Sequence, residues 1–433
     1  MGEWVDDRQV RAAMVARLNT LLRGDSGVSV ELLTLLCTLI NAGVTPLVPR
    51  HGGVGASGDL IQLSHIALAL AGEGDVRLKE ERMSAAKALA TLKQSPHVFG
   101  PKEGLALING TSFMTAVAAL CAYEARTLFG VALRSGALAL EAAECFEDCL
   151  AEYLHAARPH KAQGEMAAAL RSLLRGSKLL RSREKFERSF RATLSGKKLP
   201  RAAQDVYSLR CTPQILGPLV ETLRATERTI TIELNSATDN PLVDVRGRKV
   251  LHGGNFHGEY IAHAADALKV AVIKLTMLSE RRLNFFLHAE VNGLFPPFLN
   301  LGTPGLTLGL QGLQFTATST TAASQSLGYP HSLHSIPSNA DNQDVVSMGA
   351  DAALVLAEVV NNASMVFSCE LVALSQACAF GSRERKLSIK GKRFVQNIRK
   401  YVALVKKDRS LSAEMQKLAA AMRRGEAVRA LEF

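Results

Sequence analysis

The residues of this chain whose types and spacing could do chemistry are small ones. "GVGASGDLIQL" (residues 53–63) sets Gly53, Gly55 and Gly58 around Ala56 and Ser57 and enters an apolar run directly after Asp59. If the Gly58 amide nitrogen attacks the Ala56 carbonyl carbon, loss of one water closes a five-membered ring. Loss of a second water, from Ser57, leaves an exocyclic methylidene, a strong electrophile built from backbone alone. Glycine permits the close approach and unusual dihedrals that such a closure needs. A helix starting at Asp59 aims its positive end at the ring and favours electron flow into it.

Five other short segments gather amides, charges and glycines. They are "KEGLALINGTS" (102–112), "QDVYSLRCTPQ" (204–214), "ELNSATDNPL" (233–242), "GGNFHGEY" (253–260) and "SNADNQDVVSMG" (338–349). With the glycine-rich loop they point to one composite polar site.

The elements that must position these segments read as helices. Apolar spacing predicts helices over 7–23, 29–42, 60–71, 84–92, 105–129 and 136–157. Thr212 and Pro213 read as an N-cap and first-turn proline of a helix to about residue 236. Further helices are expected over 256–287, 311–326 and 345–379. Helices apolar on several faces need helical neighbours, so the fold class is mainly α, a long central bundle. The expected divisions are an N-terminal region, 1–100, that carries the loop, the bundle over 101–380 and a basic helical segment over 381–433.

Composition bounds the function. The 433 residues are 47% hydrophobic and only 5% aromatic, which favours helix. The net charge of +11 owes most to one stretch: residues 383–409 hold eleven Lys or Arg against Glu384 and Asp408. Without a nucleic-acid motif or interleaved aromatics, that stretch reads as a solvated face or a site for acidic partners rather than a nucleic-acid surface. Seven scattered cysteines give no disulfide framework, and Cys145 with Cys149 lacks a second ligand pair at zinc spacing, so no metal is expected. The apolar run over 105–122 contains Asn109, Thr111, Ser112 and Thr115, which suits a buried helix better than a membrane span. No secretory signal opens the chain, so the expected compartment is the cytoplasm.

The six segments, in this order, resemble the histidine, phenylalanine and tyrosine ammonia-lyases and related aminomutases over about residues 8–380. The resemblance implies a mainly α-helical homotetramer of the aspartase/fumarase-like type, with active sites built from loops of several subunits. It implies the cofactor 4-methylideneimidazol-5-one, formed from Ala56, Ser57 and Gly58 beside Asp59. Carried over by motif, Asn109 lies near the ring and the substrate carboxylate, and Arg210 binds that carboxylate. Tyr207 and Gln204 surround the reacting amino acid, and Phe256 lies next to the ring. Taken singly, Tyr207 also fits a half-buried tyrosine, Arg210 a structural ion pair and Asn109 a helix cap.

Where the histidine enzymes carry glutamate this chain has Gln343, and where the plant phenylalanine enzymes carry glutamate it has Asn339. Neutral amides at both places resemble the bacterial tyrosine lyases and tyrosine aminomutases. The expected activity is therefore deamination of L-tyrosine to p-coumarate, the alternatives being a tyrosine 2,3-aminomutase or a phenylalanine or histidine lyase. Two departures stand out. Ile61 and Gln62 replace the usual Ala-Pro, and only 55 residues precede Ala56, without a "TGFG"-like lid and its catalytic tyrosine. An N-terminally short member that turns substrate over slowly, or a helical scaffold without catalysis, is the expectation from the second.

Overall fold

The computed structural model describes residues 2–191 and 203–426. The final seven residues of the basic segment, 427–433, lie outside the described residues. The architecture is mainly helical, as expected. Two compact units form: residues 1–122, 224–269 and 329–358 make the first, and 123–223, 270–328 and 359–433 the second.

The first unit opens with helices α1 (Asp7–Leu21) and α2 (Val30–Ala42). Asp6 caps α1 by accepting from the Arg8 amide, and Ser29 caps α2 by accepting from the Leu32 amide. Gly43 ends α2 at φ +76, a left-handed stop that suits glycine. A small antiparallel sheet follows, β1 (Thr45–Pro46) pairing with β2 (Asp75–Leu78) and β2 with β3 (Glu81–Ser84). Between β1 and β2 run the glycine-rich loop and α3 (Leu60–Leu70). After α4 (Ala85–Thr91) come α5 (Glu103–Ile108) and α6 (Ser112–Ala142). A second hairpin, β4 (Leu242–Asp244) with β5 (Lys249–Leu251), closes the "TDNPL" segment.

Here the structure corrects the expected boundaries. The break expected between 129 and 136 falls instead at Asn109–Thr111, and α6 continues through Gly136. Gly136 is a packing position, since a Cβ there would meet the Arg282 guanidinium at 2.9 Å and Thr212 at 3.2 Å. The helix Gln311–Ser326 lies where the spacing placed it.

The second unit is centred on a buried ion pair. Arg282 and Glu370 are both fully buried, with Arg282 Nε 2.6 Å from Glu370 Oε1. Arg282 also donates to Ser135 and Ser279 donates to Glu370, so three long helices share one polar knot. Helices Ser112–Ala142 and Gly349–Ala377 are long and apolar enough to cross a membrane, but their apolar windows are 78% and 72% buried within the protein. They are packed as core helices. All seven cysteines are free thiols.

Candidate active site

The glycine-rich loop is braced from three directions within the first unit. Met348 donates its amide to the Val54 carbonyl at 2.9 Å, the Ser347 hydroxyl donates to the Gly55 carbonyl at 3.1 Å, and the Gly258 amide reaches the same carbonyl at 3.3 Å. Space is minimal. A Cβ on Gly55 (φ +73) would lie 2.2 Å from the Ser347 hydroxyl, and one on Gly58 (φ +75) would lie 2.2 Å from the Gly110 carbonyl oxygen. At Gly58 the obstacle is backbone, which cannot give way as a side chain can, and both positions have the left-handed φ that favours glycine. The Ile61 and Gln62 departure is accommodated here: Ile61 fills the space beside Gly52, and buried Gln62 donates to the Arg50 carbonyl at 3.2 Å.

Asp59 holds two helices at once. It stands at the N-cap of α3, which begins at Leu60 as expected, yet its carboxylate does not cap that helix. Instead Oδ2 accepts from the Phe113 and Met114 amides at 3.0 and 2.9 Å, at the N-terminus of α6. Two helix N-termini therefore meet at the Ser57–Asp59 turn, which the Gly58–Gly110 bridge fastens with an Asp59 amide to Gly110 carbonyl bond of 2.8 Å. Burial raises the Asp59 pKa to about 7; the two amide donors and the Arg17 charge oppose that rise.

Ser57 receives two side-chain amides. Asn109 Nδ2 donates to its carbonyl oxygen at 2.9 Å, and Gln343 Nε2 donates to its hydroxyl at 2.8 Å. Asn109 follows the last residue of α5, but its side chain is turned to Ser57 rather than to the helix end. Its Oδ1 and the Asp59 Oδ1 are buried without a hydrogen-bond partner. Gln343 comes from the segment 329–349, fixed at its start by Asp266, which accepts from the His331 and Ser332 amides, and by buried Lys269, which donates to the Tyr329 carbonyl. Asn339 (φ +54) is exposed in the turn that Ser338 and Gln343 close by pairing their backbones. Phe256 is half-buried on the turn leading to Gly258.

Gln204, Tyr207 and Arg210 belong to the second unit. Tyr207 and Arg210 lie on the short helix Tyr207–Arg210, one turn apart, with the guanidinium 4.8 Å from the phenol ring centre. Tyr207 is 70% exposed, so it is not the half-buried tyrosine of the bland reading. Among the described residues Arg210 has no ion pair, and its Nε is buried without a hydrogen-bond partner. Gln204 is exposed just before them.

The residues 1–400 match the family model for aromatic amino acid lyases. The chain belongs to that family. This aromatic amino acid lyase is an ammonia-lyase family enzyme, a carbon–nitrogen lyase. It is 40% identical over 420 residues to a histidine ammonia-lyase of Geobacillus kaustophilus, covering 97% of this chain and 80% of that one. It is 39% identical to a tyrosine 2,3-aminomutase of Myxococcus fulvus, covering 88% of this chain and 73% of that one. The crystal structure of a tyrosine aminomutase from Streptomyces globisporus superposes with a TM-score of 0.93 at 37% identity, covering 99% of this chain and 81% of that one. The activity class is thus that of the aromatic amino acid ammonia-lyases and aminomutases, and the relatives' names do not single out tyrosine ammonia-lyase.

Sequence reasoning passed over Arg17, Ser347 and Thr238. Arg17 had a signal: it falls in the buried stripe Val10, Met14, Arg17, Leu21 of α1, a charge where the 3.6-residue period demands an apolar side chain. Ser347 and Thr238 stood inside quoted segments but are too common a residue type to be singled out.

Proposed function

We propose that this lyase removes ammonia from L-tyrosine to give p-coumarate, using 4-methylideneimidazol-5-one formed from Ala56, Ser57 and Gly58. The observation that carries the reading is the pair of amides on Ser57, Asn109 at its carbonyl and Gln343 at its hydroxyl. The residues fit the group. The loop leaves no room for a Cβ at residues 55 and 58, and the unpartnered Asn109 Oδ1 marks a polar position awaiting a donor. During loss of the second water Gln343 can stabilise the departing Ser57 hydroxyl, while Asn109 stabilises the negative charge that develops on the Ser57 carbonyl oxygen as the Ser57 Cα proton leaves. The mature group supplies an electrophile that lets the substrate's amino group leave.

The chain's own residues bind and orient. Arg210 offers a planar fork to the substrate carboxylate, with Tyr207 and Gln204 about the reacting amino acid, Phe256 beside the ring and Asn339 with Gln343 at the substrate side chain. In the assembly we propose, a cytoplasmic homotetramer whose sites draw on several subunits, exposed Phe315, Leu306 and Leu308 supply apolar surface for neighbouring copies. The neutral Gln343 amide favours a phenol or phenyl side chain over an imidazole. A second reading, tyrosine 2,3-aminomutase giving β-tyrosine, is supported by the likeness to the aminomutases.

Intact mass and product analysis test both parts. The mature chain is expected to weigh two waters less than its sequence, Ser57→Ala to weigh its full sequence mass, and tyrosine to yield p-coumarate in preference to the products of phenylalanine or histidine. A full-mass wild type sinks the ring; urocanate as the main product sinks the tyrosine reading; β-tyrosine selects the aminomutase.

A further inference from the structure

Arg17 is a fully buried cation in direct contact with the site's asparagine. Its Nη2 donates to the carbonyls of Ala106 and Asn109, the latter at 2.8 Å, and its Nη1 lies 3.4 Å from the Thr238 carbonyl and the Ser112 hydroxyl. Ala106 and Asn109 end α5, whose last carbonyls have no partner within the helix and attract a cation. Gly110 is pressed against the same guanidinium, since a Cβ there would lie 2.1 Å from Nη1. From Asn109 the connection continues through Nδ2 to the Ser57 carbonyl, and from Gly110 through its carbonyl to the Asp59 amide.

Desolvating a guanidinium is costly, and no carboxylate lies within salt-bridge distance of Arg17 among the described residues. An apolar residue would complete the α1 stripe at lower cost. One planar guanidinium serves four acceptors, Nη2 the Ala106 and Asn109 carbonyls and Nη1 the Thr238 carbonyl and the Ser112 hydroxyl, whereas a lysine has three donors and no plane.

We propose that Arg17 is a positioning residue for the reaction: by clamping the Ala106 and Asn109 carbonyls it holds the Asn109 side-chain amide on the Ser57 carbonyl oxygen. The proposal rests on the reading of Ala56–Gly58 as the ring. Arg17 touches no reacting atom, so its contribution passes through Asn109 and is absent when Asn109 cannot donate.

The test is a double-mutant cycle on the full chain, with Arg17→Lys, Asn109→Ala and the pair, each assayed on folded protein. Arg17→Lys is expected to lower kcat about 10- to 100-fold, the usual cost of removing a partner that orients a site residue, with KM little changed. In the Asn109→Ala background the same change is expected to cost less than about twofold. An unchanged kcat, or equal losses in both backgrounds, overturns the proposal. Arg17→Met serves if Arg17→Lys does not fold, and failure of both to fold makes Arg17 purely structural and also overturns it. Wild-type intact mass separates the two readings: a chain without the two-water deficit fails the ring, whereas a normal deficit with an additive cycle fails Arg17 alone.

Discussion

The Gln343 side-chain amide donates to the Ser57 hydroxyl at 2.8 Å. The position that resembles the glutamate of the histidine enzymes thus touches the serine of the tripeptide proposed to form the ring. Gln343→Glu introduces a carboxylate there without changing size. It is expected to raise the ratio of kcat/KM for histidine over tyrosine by at least about tenfold, or about 1.4 kcal/mol. A ratio unchanged in protein that retains its two-water deficit means that selectivity resides elsewhere.

Asp59 gives stability a pH dependence of definite sign. Burial raises its folded pKa from 3.8 to about 7, so the folded state holds the proton more tightly than the unfolded chain does. Its contribution is therefore most favourable below about pH 4, is lost as pH rises to about 7, and is constant above that. Asp59→Asn removes this titration. The difference in Tm, variant minus wild type, is expected to grow between those limits and then level off, and a flat difference contradicts the assignment.

Arg210 faces a different test. Its unpartnered Nε and its place over Tyr207 leave the fork available for a ligand. Arg210→Ala is expected to cost roughly 2–5 kcal/mol in kcat/KM, as for loss of a buried charge partner, with Tm nearly unchanged. Loss of Tm at constant kcat/KM would mark a structural arginine.

In the second unit, Glu370→Ala strands the fully buried Arg282 without its anion. Unfolding by denaturant is expected to show a loss of about 3–5 kcal/mol. A loss under about 1 kcal/mol, typical of an exposed pair, means that water reaches the site.

The candidate site was more legible than the elements that hold it. Ser57, Asn109 and Gln343 stand in quoted motifs and meet in the fold, because each motif is short and its side chains are few. The helix Gln311–Ser326 was legible to the residue, whereas Gly136 read as the start of a helix and is mid-helix, because only the Arg282 packed against it shows why glycine is there. The true break, at Asn109–Thr111, is made by long-range bonds from Arg17 and Asp59, which no local propensity reports. The β-strands went unremarked, since β1 and β4 are only two and three residues long and leave little periodic signal.

The bonds on the glycine-rich loop also set a clock. Gly55 is fastened by Ser347, 292 residues later in the chain, and Ser57 by Gln343, 286 residues later. A polypeptide still being translated has neither clamp until the 286 and 292 residues that separate these partners have been made, and the clamping residues must also clear the ribosome. Until then Ala-Ser-Gly is an ordinary, inert tripeptide. If Ala56–Gly58 forms the ring we propose, the electrophile is thereby confined to folded molecules, and the thiols of the cell meet no reactive group on the nascent chain.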